Sequence, residues 1–408
     1  MDNRLYWIWL QQALGVGSPK ADPLLRILET PARIWEADDR VYREIGLGDR
    51  ERQALSAKSL EPADRILKQA LKNNGWMLTP DDAVYPDALR EIYGLPLVLY
   101  GKGELPRLDD RPVLGMVGTR EPTDYGRDMA WYLSAGVAAA GMIVVSGGAV
   151  GIDAASHQGA LDAGGITIAI QGCGLDVNYP KPNARLRKQI LERGGVLLSE
   201  YPPGVKVQKG TFQVRNRLIS GLSQATCIVE APIPSGSLIT ATHAREQGRD
   251  VMAVPAPAMP AYAGSNGLIQ KGAYLVERPA DILRQYHDRF GDMLRVEEAD
   301  RFSMPVWKPL EREKPIKSRL RVAQKSPAPE PSVLSKPPAE PALLSCTVCP
   351  PDVSEDGRRM FDVLEELPRP VDWLATRAGF SPARAMAVLT ELEIAGGARS
   401  HAGQQYSR

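Results

Sequence analysis

The 408-residue sequence predicts an α/β fold: a mostly parallel sheet with helices on both faces, flanked by a small N-terminal helical domain and a C-terminal winged-helix-like domain. Three observations carry this expectation. Between Val113 and Val254 short apolar segments alternate with longer segments of helical character, as in a parallel sheet whose crossovers are helices. Ahead of them, residues 1–75 place apolar side chains at helical spacing without strand alternation. Behind them, residues 291–353 turn to Pro, Lys, Arg, Ser and Ala with no sustained period, the composition of a linker, and a further set of helical segments follows.

In chain order, the front domain shows helical spacing at Leu24, Leu25, Ile27 and Leu28, and again at Ile66, Leu67, Ala70 and Leu71. Its Ala13-Leu-Gly-Val-Gly17 has the glycines of a helix-hairpin-helix turn, which either binds a DNA phosphate or serves helical packing. After prolines at 86 and 96, the expected strands are Val113–Gly118, Met142–Ser146, Thr167–Ile170, Val196–Ser199, Cys227–Glu230 and Val251–Val254. Helical segments intervene at Tyr125–Ala140, Ile152–Ala163, Asn183–Arg193, Phe212–Leu222 and Ser237–Gln247. The result is a Rossmann-like core over 76–290, with ligands expected beyond the carboxyl ends of its strands. In the tail, 354–408, helices over Arg358–Leu367, Val371–Ala378 and Ser381–Glu393 precede Gly396-Gly397, which starts a hairpin. The second helix of that pair offers Arg384 and mainly apolar neighbours, so protein contact competes with DNA reading there.

Fifty Lys plus Arg against 49 Asp plus Glu leave a net charge of +1, so any polyanion site must be local. The basic portion Lys314–Lys325 of the linker either touches a phosphate backbone or is a solvated tether. Cysteines at 173, 227, 346 and 349, with no secretory signal, suit a reduced cytoplasmic protein. Cys346-Thr-Val-Cys349 has metal-ligand or redox spacing but lacks a second pair to complete a zinc site. No apolar run approaches the ~18–20 residues needed to span a bilayer, so no membrane partner is expected.

Four turns carry the chemistry. Ser146-Gly-Gly-Ala-Val-Gly-Ile-Asp153 joins a buried strand to a helix; Gly147, Gly148 and Gly151 either let backbone N–H groups approach a phosphate or only make the turn and the packing. Gly118-Thr119-Arg120 places a guanidinium just beyond the sheet edge, suited to bidentate phosphate binding. Lys209-Gly210-Thr211-Phe212-Gln213-Val214-Arg215-Asn216-Arg217 brings three cations and an aromatic ring to one helix start. Bases of single-stranded nucleic acid stack on such a ring while the cations hold phosphates; alternatively Phe212 belongs to the core. Ser235-Gly236-Ser237 opens another helix with two hydroxyls, and Gly264-Ser-Asn-Gly267 with Lys271 forms a further polar loop.

Taken together, Gly118-Thr-Arg-Glu-Pro-Thr-Asp-Tyr-Gly126, the 146–153 turn, Leu198-Ser-Glu-Tyr-Pro202, Arg215-Asn-Arg217 with Gly221-Leu-Ser223, and Ser235-Gly-Ser-Leu-Ile-Thr240 resemble the DNA-processing protein A family, also called DprA or Smf. The resemblance spans about 80–285 in the family's order, and the front and tail match its frequent accessories. It implies a Rossmann-like homodimer that binds single-stranded DNA, protects it and helps load the RecA recombinase during natural transformation and recombination, with no reaction catalysed and no cofactor or metal. By motif match, Arg120, Lys209, Phe212, Arg215, Asn216 and Arg217 are the DNA-binding positions. Two departures stand out: Val150 where many members carry Arg, and Ser265-Asn266-Gly267 where many carry Thr-Asn-Arg.

The rival reading is a nucleotide-binding or nucleotide-processing enzyme of the phosphoribohydrolase type, whose Pro-Gly-Gly-x-Gly-Thr-x-x-Glu turn Ser235–Thr240 resembles. Thr240, Ala241 and Thr242 stand where the acid of that helix is expected. Gly147-Gly148-x-x-Gly151 is not the spaced dinucleotide fingerprint either. His157 and His243 are candidate bases, or else a core and a surface histidine.

Overall fold

Strands buried on both faces have no polar side to alternate with, which is why the six segments read as unbroken apolar runs. All six are strands in the protein, seen in a computed structural model that describes residues 2–208, 210–304, 349–350, 353–401 and 405–408. In chain order the main sheet is built from β1 (Gly75–Leu78), β2 (Leu99–Lys102), β3 (Val113–Val117), β4 (Ile143–Ser146), β5 (Thr167–Gln171), β6 (Val196–Ser199), β7 (Ala225–Ile228), β8 (Asp250–Ala253) and β9 (Tyr274–Leu275). Their spatial order is β1-β2-β6-β5-β4-β3-β7-β8-β9. β3 to β9 are mutually parallel, while β1 and β2 form an antiparallel extension on β6. β1, β2 and β9 are additions to the sequence expectation.

Helices α1 (Asp124–Ala139), α2 (Ile152–Asp162) and α3 (Ala184–Glu192) cover one face. Met129, Leu133 and Ile152 pack there on Leu114, Met116 and Val144, and Ile190 packs on Ala169 and Leu197. Helices α4 (Thr211–Gly221), α5 (Gly236–Glu246) and α6 (Ala263–Gln270) cover the other, where Leu218, Ile219, Ala241 and Leu268 meet Val113, Val145 and Ile170. The chain steps outward from β3 through β4 and β5 to β6, then returns by α4 to set β7 beside β3. The loops after β3 and β7 therefore lead to opposite faces, and the crevice between them is the topological switch point.

Two expected boundaries move. The front helices are not set apart at residue 75: Trp7, Ile8, Leu10, Leu24 and Tyr42 share one core with Met77, Val98 and Tyr100 of the β1–β2 side, and Met1–Arg312 is one compact unit. The main clasp is Glu200, 2% exposed, whose carboxylate accepts from Arg217 Nη2 at 2.5 Å and from Gly17 N–H at 3.2 Å. The amide of the hairpin-like Gly17 thus serves internal packing rather than an outside phosphate. At the other end, the linker does not begin at 291. Leu294 and Ala299 are buried against α1, and Phe302 meets Trp131 edge-on at 5.9 Å. The basic Lys314–Lys325 portion and Cys346 lie outside the described residues, and Cys173 and Cys227 are buried free thiols.

The second unit, Glu313–Arg408, holds α7 (Glu355–Val363), α8 (Val371–Ala378) and α9 (Pro382–Ile394), with β10 (Arg369–Pro370), β11 (Arg399–His401) and β12 (Gln405–Ser407) as a small antiparallel sheet. This is the winged-helix arrangement, built around Met360, Phe361, Leu374 and Leu389. Arg384 is held by Asp356 at 2.5 Å and Glu391 by Ser354, so the polar groups of α9 are partly engaged inside the unit. Among the described residues no helix is long and apolar enough to cross a membrane.

His157 is a fully buried core residue of α2. Thr167 Oγ donates to Val144 O at 2.8 Å, so it accepts from His157 Nδ1–H at 2.7 Å, which sets the tautomer. Burial pulls the imidazole down to about 3, which keeps it neutral and removes it from base chemistry. His243, on the surface of α5, sits beside Glu246 at 3.3 Å.

Two outcomes are expected. Glu200→Ala leaves Arg217 buried without its counter-charge and should cost about 3–5 kcal/mol, read as a lowered urea midpoint. Because the unfolded chain takes up a proton at His157 near pH ~6.5 and the folded chain only near 3, that residue's contribution is intact above ~6.5 and is lost as pH falls through this window. Urea titrations of wild type and His157→Gln across the window should diverge at neutral pH and converge toward pH ~4.

Candidate nucleic-acid interface

The switch point opens into a pocket of about 370 Å³ at the carboxyl ends of the strands. Arg120, Asp153, Phe212, Asn216, Ser235 and Thr240 line it, so residues after β3, β4, β6 and β7 converge there. All four turns singled out from the sequence meet at this place; the further polar stretch at 264–267, expected as a loop, is instead part of α6 and does not line the pocket.

The turn after β3 is held on both sides, since Thr119 N donates to Glu230 O at 2.7 Å and Thr119 O accepts from Ile152 N at 3.1 Å. That rigid turn carries Arg120 into solvent, with its guanidinium 4.8 Å above the Phe212 ring. Among the described residues Arg120 has no carboxylate partner. Phe212, the second residue of α4, is half-buried, and Tyr179 lies 5.6 Å from it at a tilt of 36°. The ring is therefore neither a core side chain nor a bare platform. It is packed in a cluster with Arg120, Arg215 and Tyr179.

Arg215 and Arg217 are not surface cations, which corrects their expected part as phosphate ligands. Arg215 is 4% exposed; its Nη1 donates to Gly147 O at 2.5 Å and to Ile170 O, and the guanidinium lies 5.9 Å under Phe212. Arg217 is turned inward to Glu200. Two residues apart, they leave α4 on opposite sides, Arg215 toward the sheet and Arg217 toward Glu200 and the front helices, and both sides are covered. Asn216, also buried, donates from Nδ2 to Gly236 O at 3.3 Å and so positions the start of α5. Lys209 lies outside the described residues, and Gly210, in a left-handed conformation, caps α4.

The 146–153 glycines now have separate jobs. A Cβ at Gly147 would overlap the Arg215 guanidinium, so that glycine is required by close approach. Gly151 has φ +85° and precedes α2, with its Cα against the Thr119 carbonyl turn. The carbonyls of Gly148 and Ala149 accept from Asn183 Nδ2 at 3.0 and 2.9 Å. Asp153 accepts from Ala149 N–H at 3.3 Å; burial raises its carboxyl above the usual range while nearby Arg215 pulls the other way. The turn is thus a braced wall. At the opposite wall Ser235 caps α5, its Oγ accepting from Ser237 N at 3.3 Å and lying 2.7 Å from Ser237 Oγ, while Gly236 is exposed.

Lys271 is also corrected. It follows α6, which runs from the carboxyl edge back to the amino edge before β9, and its carbonyl accepts there from Arg245 at the end of α5. The lysine is exposed, but at the far end of the strands from the pocket. Residues missed from the sequence are Tyr179, Gln171 and Glu230. Glu230 takes Thr123 N and Oγ (2.7 Å to the latter) and so fixes the α1 start. Its signal was an acid directly after an apolar strand.

A family model described as DNA recombination-mediator protein A matches residues 76–287, and one described as DprA winged helix domain matches 327–404. The chain is similar to Protein Smf of Synechocystis sp., 39% identical over 281 residues, 67% of this chain and 70% of that protein. It is similar also to the DNA processing protein DprA of Streptococcus pneumoniae, 42% identical over 262 residues, 62% of this chain and 92% of that one. The X-ray structure of DNA processing protein A from S. pneumoniae superposes with a TM-score of 0.59 at 34% identity, covering 70% of this chain and 98% of that chain.

The half-buried cluster predicts that Phe212→Ala costs about 1–2 kcal/mol in chemical denaturation, the scale of an aromatic and a cation–π contact. A loss of about 3–5 kcal/mol would instead make the ring a packing residue.

Proposed function

Because the chain belongs to the DNA recombination-mediator protein A family, we propose that it binds single-stranded DNA along the carboxyl edge of the parallel sheet, with Arg120 and Phe212 as the principal contacts. One observation carries the reading: an exposed guanidinium without a carboxylate partner lies over an aromatic ring at the mouth of the switch-point pocket. A base takes the ring face or stacks on the planar guanidinium, and the guanidinium holds the adjacent phosphate. Lys209, three residues before Phe212 in the chain, adds charge ahead of the same helix, and the Ser235-Gly236-Ser237 turn offers hydroxyls to a second phosphate. Gly147, Gly148, Gly151, Arg215, Asn216 and Arg217 act beneath the strand, as its bed. Sequence is not read, because stacking and phosphate contacts accept every base.

In this reading the protein works by binding, without turning over a substrate. It shields incoming single strands in the cytoplasm and, as a homodimer, helps load RecA on them in natural transformation and recombination. The family's name and the motif resemblance support this role. The nearest acid to the pocket, Asp153, already holds Ala149 N–H.

Arg120→Ala should weaken binding of a labelled oligonucleotide about tenfold irrespective of its base sequence and reduce the slope of log K against log salt by about 0.7. Fluorescence anisotropy reads both. Unchanged affinity in folded Arg120→Ala and Phe212→Ala proteins would remove the strand from this pocket.

A further inference from the structure

A second groove of about 510 Å³ lies where the Glu61–Ala70 helix, β2 and the loops after β5 and β6 meet. Its walls carry Arg65, Lys68, Lys72 and Lys102 against a single carboxylate, Asp176. Asp176 is occupied: it accepts from Gly204 N–H at 2.8 and 3.0 Å and lies 3.5 Å from Gln69 Nε2. Lys68 pairs with Asp64, whereas Arg65, Lys72 and Lys102 have no carboxylate partner among the described residues. Basic residues near a helix C-terminus are favoured by the helix dipole. That does not account for Lys102, which comes from β2 and faces the same groove.

The groove adjoins the Phe212 site through one short loop. Gly172 and Tyr179 line the small cavity against Phe212, while Leu175 and Asp176 of the same loop line the groove. A second link runs from Pro203 in the groove wall, through the segment of Tyr201, whose hydroxyl donates to Thr211 O at 3.3 Å, to the start of α4. Both links lie on the carboxyl side of the sheet.

From this juxtaposition we propose that the groove is a second phosphate-binding site that takes the backbone of the same DNA strand after it leaves the Phe212 site and crosses the 172–179 loop. The proposal rests on the single-strand reading of the first pocket. Contacts are to phosphates alone, since the walls offer cations and the Gln69 and Asn73 amides, and Tyr100, the aromatic of the wall, is buried.

The test uses the full chain and labelled oligothymidylates of about 6 and about 20 nucleotides, the shorter sized to the first pocket alone. In the Arg65→Glu/Lys72→Glu double variant, affinity for the longer strand should fall at least about tenfold and its salt slope shrink by about 1.4, that is, about 0.7 for each lost phosphate contact. Affinity for the shorter strand should stay within about twofold of wild type. Lys72→Arg should bind both strands as wild type does. Equal affinity of the double variant for the longer strand overturns the proposal, as does an equal loss on both lengths. Calorimetric binding of thymidine monophosphate that the double variant abolishes would assign the groove to a free nucleotide and also overturn it. A wild-type protein that binds neither oligonucleotide sinks the first pocket; one that binds the shorter strand with no gain from length sinks the groove alone.

Discussion

The guanidinium of Arg215 is the contact around which the carboxyl edge is built. It is buried, and two main-chain carbonyls, Gly147 O after β4 and Ile170 O in β5, receive its protons. A buried cation so held is costly to displace, because its hydrogen bonds would have to be surrendered in a region water does not reach. Asp153 supplies the compensating charge from the first turn of α2. The position of α4, the glycine at 147, the course of the 146–151 turn and the support under Phe212 all follow from that one side chain.

This divides the basic residues of the edge into two kinds. Arg215 and Arg217 are frame, the first held by main-chain carbonyls and the second by the Glu200 carboxylate, and both are turned away from solvent. Arg120 is carried into solvent by a turn clamped to Glu230 and Ile152, and its charge remains available. A braced bed with an exposed cation above it would suit a ligand whose phosphates and bases repeat, since the bed sets the spacing and an exposed side chain can adapt to each nucleotide. The same Glu200 that neutralises Arg217 also takes the Gly17 amide, so the front helices are locked to the core through the frame and not through the contact residues.

Much of the fold was legible in the chain. β3 to β8 and the helices between them could be read because a strand buried on both faces needs an unbroken apolar run and its crossover helix needs a 3.6 period. β1 and β2 escaped because neither is an unbroken apolar run, Gly75 and Gly101-Lys102 interrupting them, and because they pair across a connection of some twenty residues, with β6 as the further partner and the front helices as cover. β9 escaped because it has two residues, both exposed. The packed stretch through Ala299 escaped because its apolar residues, Leu294, Val296 and Ala299, are few and widely spaced, and only their contact with α1 shows that they are core.

At the site, residue type and spacing by themselves determined that glycine turns, an Arg and an aromatic-plus-cation helix start would gather at the carboxyl edge, because strand–turn–helix order puts every such turn at that end. Which cations face the ligand was decided only by tertiary structure. Arg215 and Arg217 sit two residues apart on the same helix, and nothing in their spelling says that the first meets a carbonyl after β4 and one in β5 while the second meets a carboxylate beside β6. Burial depends on what packs over a residue, and those covering groups come from segments far away in the chain. For the same reason Lys271, next to a polar loop in sequence, ends at the opposite edge, carried there by the length of α6.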